Sequence, residues 1–263
     1  MTIPPMTTTF RRGAAGHAIR LRRIFNPATG RSLVIPLDHA AADGLLPGLE
    51  DARRIIGDAA AAGADAVMLR PGLIDAVADT DSRGMGVILM LTGRLSRGVD
   101  HVLFHSVEHA ARCGADAVCA EFKLGGPGDL ENLQVVAGVV EAAREHGLPA
   151  LVTTYAVADY VARVGPVAYA QACRVTEELG ADMIKTSFPP DPEIIRACLA
   201  AVRIPILVAG GAGGRTEDVL EHVRSAVRLG VAGAAVGRNV WGNADPVAVA
   251  RRFREAVHAP DAG

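Results

Sequence analysis

The sequence predicts an α/β protein and, within that class, a single-domain (β/α)8 TIM barrel with a short N-terminal capping segment. Three observations carry this reading. Alanine-rich helical patterns alternate with short apolar runs between Arg31 and Phe253, as expected when parallel strands are covered on both faces. A glycine closes helix after helix, in Gly63-Ala64-Asp65-Ala66-Val67, Gly114-Ala115-Asp116-Ala117-Val118, Gly180-Ala181-Asp182-Met183-Ile184 and Gly230-Val231-Ala232-Gly233-Ala234. Each fits the left-handed position after a helix's last turn. The apolar runs number eight, and eight βα units in about 230 residues match a closed barrel of about 250 residues better than a doubly wound sheet.

In chain order, a leader over 1–23 carries Arg11, Arg12, Arg20, Arg22 and Arg23 and reads as a solvated segment with a short capping helix, not a nucleic-acid arm. The barrel then occupies 24–263. Strands are expected near 32–38, 65–70, 86–92, 115–121, 149–155, 181–187, 204–210 and 231–237, from their β-branched and apolar content. Helices are expected near 48–62, 101–113, 129–146, 166–179, 191–201, 215–229 and 245–257, with a short irregular connection between the second and third strands. Gly125-Gly126-Pro127-Gly128 reads as a strand-to-helix loop, because it lacks the spaced acidic partner of a dinucleotide fingerprint. Met85, Met90 and Met183 read as core filling.

With 27 basic and 29 acidic residues the formal net charge is −2, which argues against a general affinity for nucleic acid or anionic membrane. Any anion must be bound locally. The four cysteines form no CxxC and read as buried thiols in a reducing cytosol. No apolar run approaches the roughly 18 residues of a transmembrane span and no signal-peptide core opens the chain, so a cytoplasmic protein is expected. His101, His105 and His109 share a helical spacing that suits a metal site in principle; beside Val102, Leu103 and Phe104 they read instead as part of a covering helix, and no metal is expected.

A barrel directs attention to the C-terminal ends of its strands. Asp38 and His39 end the first, Glu121 and Lys123 the fourth, Tyr155 the fifth, and Lys185 lies near the end of the sixth. Lys185 is an amine inside an apolar run. Burial favours its unprotonated form, the nucleophile of Schiff-base enzymes; a strand-end lysine paired with a carboxylate is the bland alternative. Addition of an amine to a ketone, loss of water and scission of the neighbouring C–C bond each move a proton, for which Asp38 and Tyr155 supply the right acid/base types. After the seventh and eighth strands, Gly210-Gly211-Ala212-Gly213-Gly214 and Gly237-Arg238 expose backbone N–H groups and a guanidinium, at the two positions where barrels often hold phosphate.

On these residues the chain resembles the archaeal-type class I aldolase family, which includes fructose-bisphosphate aldolases and 2-amino-3,7-dideoxy-D-threo-hept-6-ulosonate synthase, within the deoxyribose-phosphate aldolase superfamily. The resemblance runs from Arg20 onward and is strongest in Arg20-Leu21-Arg22-Arg23-Ile24-Phe25-Asn26, Pro36-Leu37-Asp38-His39, Gly180 to Thr186, Ala209-Gly210-Gly211 and Ala234 to Trp241. It implies Lys185 as the Schiff-base residue, Asp38 and Tyr155 as acid/base pair, Gly210, Gly211, Gly237 and Arg238 as phosphate contacts, no cofactor beyond the covalent imine, and a large homo-oligomer, commonly a decamer. Departures fall in the pocket. Tyr155 is followed by Ala156-Val157 where relatives have proline and arginine, and Glu121 and Lys123 stand where histidine and asparagine are usual. Glu121 and Lys123 would suit an amino- or oxo-bearing acceptor aldehyde such as aspartate semialdehyde, and with His39 they are counted among the expected substrate or phosphate contacts. Transaldol transfer, fructose-bisphosphate cleavage, acyl transfer of the thiolase kind on a phosphorylated diketone, isomerisation with Lys185 as base or anchor, and non-catalytic phosphometabolite binding are the competing readings.

Overall fold

The computed structural model describes residues 15–95, 102–211 and 214–259. Eight parallel strands close into a barrel: β1 Ser32–Pro36, β2 Ala66–Leu69, β3 Gly86–Met90, β4 Ala117–Leu124, β5 Ala150–Ala156, β6 Met183–Thr186, β7 Ile206–Ala209 and β8 Gly233–Ala235. Each pairs with its neighbours in sequence order, and β8 pairs with β1. All eight expected strands are present, so the (β/α)8 barrel stands. Helices at Ala52–Ala62, Asp129–Glu145, Val167–Glu178, Pro192–Ala201, Thr216–Leu229 and Pro246–His258 lie within a few residues of expectation. The closing glycines Gly63, Gly114, Gly180 and Gly230 all take positive φ, from 77° to 112°.

One expected helix is largely replaced. Val102–Leu103 instead forms an antiparallel ribbon with Thr92–Gly93, and the helix begins only at Val107 and ends at Arg112, capped by Ser106, whose hydroxyl accepts from the His109 N–H at 3.2 Å. His105 therefore precedes the helix and stacks on His109, ring centres 5.4 Å apart, while His101 lies outside the described residues, as do the first 14 residues of the leader and Ala212–Gly213. Among the described residues no cluster of histidine, cysteine and carboxylate suits a metal ion. No helix there is long and apolar enough to cross a membrane. Cys119, Cys173 and Cys198 are buried thiols, whereas Cys113 is only half-buried.

Strand alternation separates two apolar layers. Outward residues such as Val118, Ala120 and Phe122 pack beneath the helices. Inward ones, including Val34, Ala66, Met68, Ile88, Met90, Cys119, Leu151, Met183 and Leu207, fill the barrel and are joined from below by Ile24 and Phe25. The helix Ala15–Ile24 brings those two in. It is tied across the strand entrances: His17 Nε2 lies 2.9 Å from Asp182, Arg20 donates to the Gly147 carbonyl at 3.2 Å, Arg23 to Asp116 at 2.9 Å, and Ser32 Oγ to the Ile24 carbonyl at 2.7 Å.

The repeated Gly-Ala-Asp junction has a structural cause beyond its glycine. Asp65, Asp116 and Asp182 open β2, β4 and β6, and each accepts the backbone N–H that starts the preceding strand: Leu33 at 2.7 Å, Val87 at 3.0 Å and Ala150 at 2.9 Å. At the entrance to β8 the corresponding residue is Ala232, with no carboxylate to offer. Asp116 is only 5% exposed, so Asp116→Ala strands the Val87 donor and is expected to cost about 2 kcal/mol. Urea unfolding reads this; an unchanged midpoint would show that the clamp contributes nothing.

Candidate active site

The inward rows do not stop at the apolar core; they continue with the same two-residue period into a cavity of about 520 Å³ at the C-terminal mouth. Met68 is followed by Arg70, Met90 by Thr92, Cys119 by Glu121 and Lys123, Leu151 by Thr153 and Tyr155, Met183 by Lys185 and Ser187, and Val34 by Pro36 and Asp38. Asp38, His39, Glu121, Lys123, Tyr155, Lys185, Gly210, Gly211, Gly237 and Arg238 all line this one cavity. Register places Thr153 beside Lys185 and Lys123 beside Tyr155.

Lys185 is 8% exposed. Burial is the strongest single influence and would strip its proton; Tyr155, Asp38, Cys119 and Glu121 together outweigh it, so the amine lies above the usual lysine range. This corrects the expectation of a depressed amine. Burial likewise pushes the Tyr155 phenol and the Cys119 thiol up to about 12, so both are neutral near pH 7. Of the four groups, that leaves the carboxyl groups of Asp38 and Glu121 as the ones that favour the ammonium there.

A phenol whose folded value exceeds its unfolded one contributes stability in full below the unfolded value, and that contribution is lost as pH rises through the folded value. For Tyr155 the window runs from about pH 10 to about 12. Alkaline spectrophotometric titration is expected to show one phenol ionising near pH 12 and to lose that step in Tyr155→Phe. A titration identical in the two proteins would contradict the raised phenol.

The mouth beyond β7 and β8 is built by close backbone approach. A Cβ at Gly237 would lie 2.6 Å from the Pro36 carbonyl oxygen and 2.9 Å from His39 and from the Trp241 indole nitrogen. That nitrogen donates to the Pro36 carbonyl at 3.0 Å, and the His39 and Trp241 rings meet edge-on at 5.4 Å. Burial first, then Lys185 and Arg238, hold His39 below its ordinary pKa against Asp38, which lies 3.9 Å away and pulls the other way. Gly211 takes φ 73° and borders open space. The Arg238 guanidinium donates to the Gly211 carbonyl at 2.7 Å and lies 3.8 Å from Asp43, so it braces one glycine loop against the other.

Sequence reasoning missed Arg70, Thr92, Asp43 and Arg94 in the lining. The signal for Arg70 was present: it ends β2 as Asp38 follows β1, two residues beyond a buried inward methionine. Lys123, Lys185, Arg70, Arg94 and Arg238 stand against Asp38, Asp43 and Glu121 around the cavity, an excess of positive charge that favours an anionic ligand.

A closed parallel barrel with a buried lysine on its sixth strand, flanked by a phenol and two carboxylates, has the equipment of a class I aldolase, which works through a Schiff base. The chain belongs to the DeoC/LacD family of aldolases, whose model matches residues 32–243. It is 32% identical over 247 residues to 2-amino-3,7-dideoxy-D-threo-hept-6-ulosonate synthase of Halobacterium salinarum, covering 93% of this chain and 92% of the relative. It is 30% identical over 246 residues to 2-amino-4,5-dihydroxy-6-oxo-7-(phosphonooxy)heptanoate synthase of Streptomyces griseus, covering 92% and 90%. A solved archaeal fructose-1,6-bisphosphate aldolase, its catalytic lysine covalently bound to the carbinolamine intermediate, matches with a TM-score of 0.82 at 28% identity, over 92% of this chain and 100% of its own.

Proposed function

We propose that this enzyme joins dihydroxyacetone phosphate, or a sugar phosphate that yields it, to an acceptor aldehyde bearing an amino group, such as aspartate semialdehyde. The observation that carries this is the division of the cavity: glycine loops on one side, Lys185 between, and the mixed charge of Glu121 and Lys123 beyond. The product named for the Streptomyces griseus relative supports the same pairing. Breaking the bond between its two hydroxylated carbons, beside the 6-oxo group, returns a phosphorylated three-carbon ketone and a four-carbon amino acid aldehyde.

In this scheme the donor's phosphate rests on the backbone of Gly210, Gly211 and Gly237 with Arg238 beside it, and His39 supports that loop. The Lys185 ammonium gives its proton to a carboxylate, and Nζ adds to the donor ketone. The carbonyl oxygen takes one proton from the adding nitrogen and a second from an acid, and leaves as water, giving an iminium. Asp38, a carboxylate, removes a proton from the neighbouring carbon, and the C–H electrons flow to nitrogen. The resulting enamine carbon attacks the acceptor aldehyde, whose oxygen takes up a proton. Water then adds to the new iminium and frees Lys185, replacing the water lost earlier. Tyr155, neutral up to about pH 12, is the acid suited to the departing and forming hydroxyls. Glu121 meets the acceptor's ammonium. The chemistry asks for no metal, and the assembly expected is a large homo-oligomer, whose subunit number light scattering reads.

Incubation with dihydroxyacetone phosphate and aspartate semialdehyde is expected to give the seven-carbon amino ketose phosphate by mass. Borohydride with the ketone alone should leave an adduct on Lys185 in the peptide map. An adduct without the seven-carbon product, together with cleavage of fructose 1,6-bisphosphate, would move the substrate assignment to the sugar bisphosphate.

A further inference from the structure

Arg70 is a cavity residue to which this scheme gives no task. Its Nη1 donates to the Thr92 carbonyl at 3.0 Å and its guanidinium carbon sits 4.7 Å from the centre of the Phe104 ring. Among the described residues no carboxylate pairs with it, and its buried Nε–H has no acceptor. Burial acts first on this group and lowers its pKa, against Asp38 and other anions at longer range. A guanidinium removed from water without an ion partner is costly.

The seat is nevertheless well built. Phe104 is fixed by its own N–H on the Leu91 carbonyl at 2.8 Å, through the ribbon that displaced the expected helix. Gly93 leaves the space the pair occupies: a Cβ there would lie 2.7 Å from Arg70 Nη2 and 3.0 Å from the Phe104 ring. Arg70 follows β2, and the strand order sets β2 across the barrel from Lys185 on β6. A ligand that extends from Lys185 away from the glycine loops ends on this wall.

We propose that Arg70, seated on Phe104, binds the carboxylate of the acceptor aldehyde and so determines which aldehydes the enzyme accepts. This rests on the proposed function. A guanidinium without an ion partner and with a fixed plane matches a planar carboxylate, whereas the backbone donors that suit a phosphate lie on the loops after β7 and β8. Glu121, on β4 midway between β2 and β6, remains to receive the acceptor's ammonium.

The test is steady-state kinetics with dihydroxyacetone phosphate as donor and aspartate semialdehyde, glyceraldehyde 3-phosphate or butanal as acceptor, in wild type, Arg70→Met and Arg70→Lys. The kcat/KM ratio of the semialdehyde over butanal is expected to fall about 100-fold in Arg70→Met and to recover in part in Arg70→Lys. Borohydride trapping of the donor on Lys185 in the same variants reports that they are folded. An unmoved ratio, an equal loss with every acceptor, or a loss confined to glyceraldehyde 3-phosphate overturns the assignment. If the wild type makes no product from the semialdehyde, the proposed function falls and takes this assignment with it; product with an unmoved ratio sinks the Arg70 assignment alone.

Discussion

Lys185→Met is expected to lower kcat by at least about 10⁴-fold and to abolish borohydride trapping of the donor, because the proposed imine forms on its Nζ and the other amine of the cavity, Lys123, stands two strands away on β4. Methionine keeps the side chain's length and apolar stem, so the core beneath, Met183 and Leu207, stays packed. The informative companion is Lys185→Arg. Arginine restores the positive charge beside Asp38 and Glu121 yet does not release a proton at working pH. If Lys185 is a nucleophile, both variants are dead; if it is an electrostatic anchor, Lys185→Arg keeps a substantial part of the wild-type rate. Turnover by Lys185→Arg above about a tenth of wild type would refute the Schiff-base role.

The second large effect is expected from Tyr155→Phe, a fall in kcat of about 10² to 10³-fold, in the range removed with a general acid. The ring still fills its place on β5 and the register with Lys123 is untouched, so binding should change little. The loss falls on the steps in which an oxygen gains or loses a proton. Borohydride trapping should therefore persist but slow, since iminium formation needs the departing hydroxyl protonated. Rapid-quench measurement of adduct formation separates this from a folding defect. Trapping at the wild-type rate would place Tyr155 outside the carbinolamine step.

The same inward alternation explains what the sequence does and does not disclose. Lys185, Tyr155, Asp38, Glu121 and Lys123 are legible because each is a polar residue on the row of a recognisable apolar strand. Arg70 obeys the same rule, but Pro71 directly after it reads as the start of a loop and hides that it still belongs to the inward row. The segment 101–113 misleads for a different reason. Its histidines recur at helical spacing, yet Val102 and Leu103 are drawn into pairing with Gly93 and Thr92, contacts between residues nine and eleven positions apart that local periodicity does not report. The protonation state of Lys185 was also beyond reach, because it depends on how many anions share the cavity and not on burial alone.

The missing carboxylate at Ala232 marks where the ring is joined. Between β8 and β1 the chain uses proximity instead: a Cβ at Gly233 would stand 2.0 Å from the Ser32 carbonyl oxygen, and Arg31 reaches across to the Ala259 carbonyl at 2.6 Å. Those partners are separated by 228 positions, so this joint closes only when the two ends of the chain meet, late in folding. Asp38 and Gly237 face each other across it. A half-made ring thus has Lys185 in place but neither Asp38 nor Gly237 in register, and its cavity is incomplete until the two ends of the chain have met.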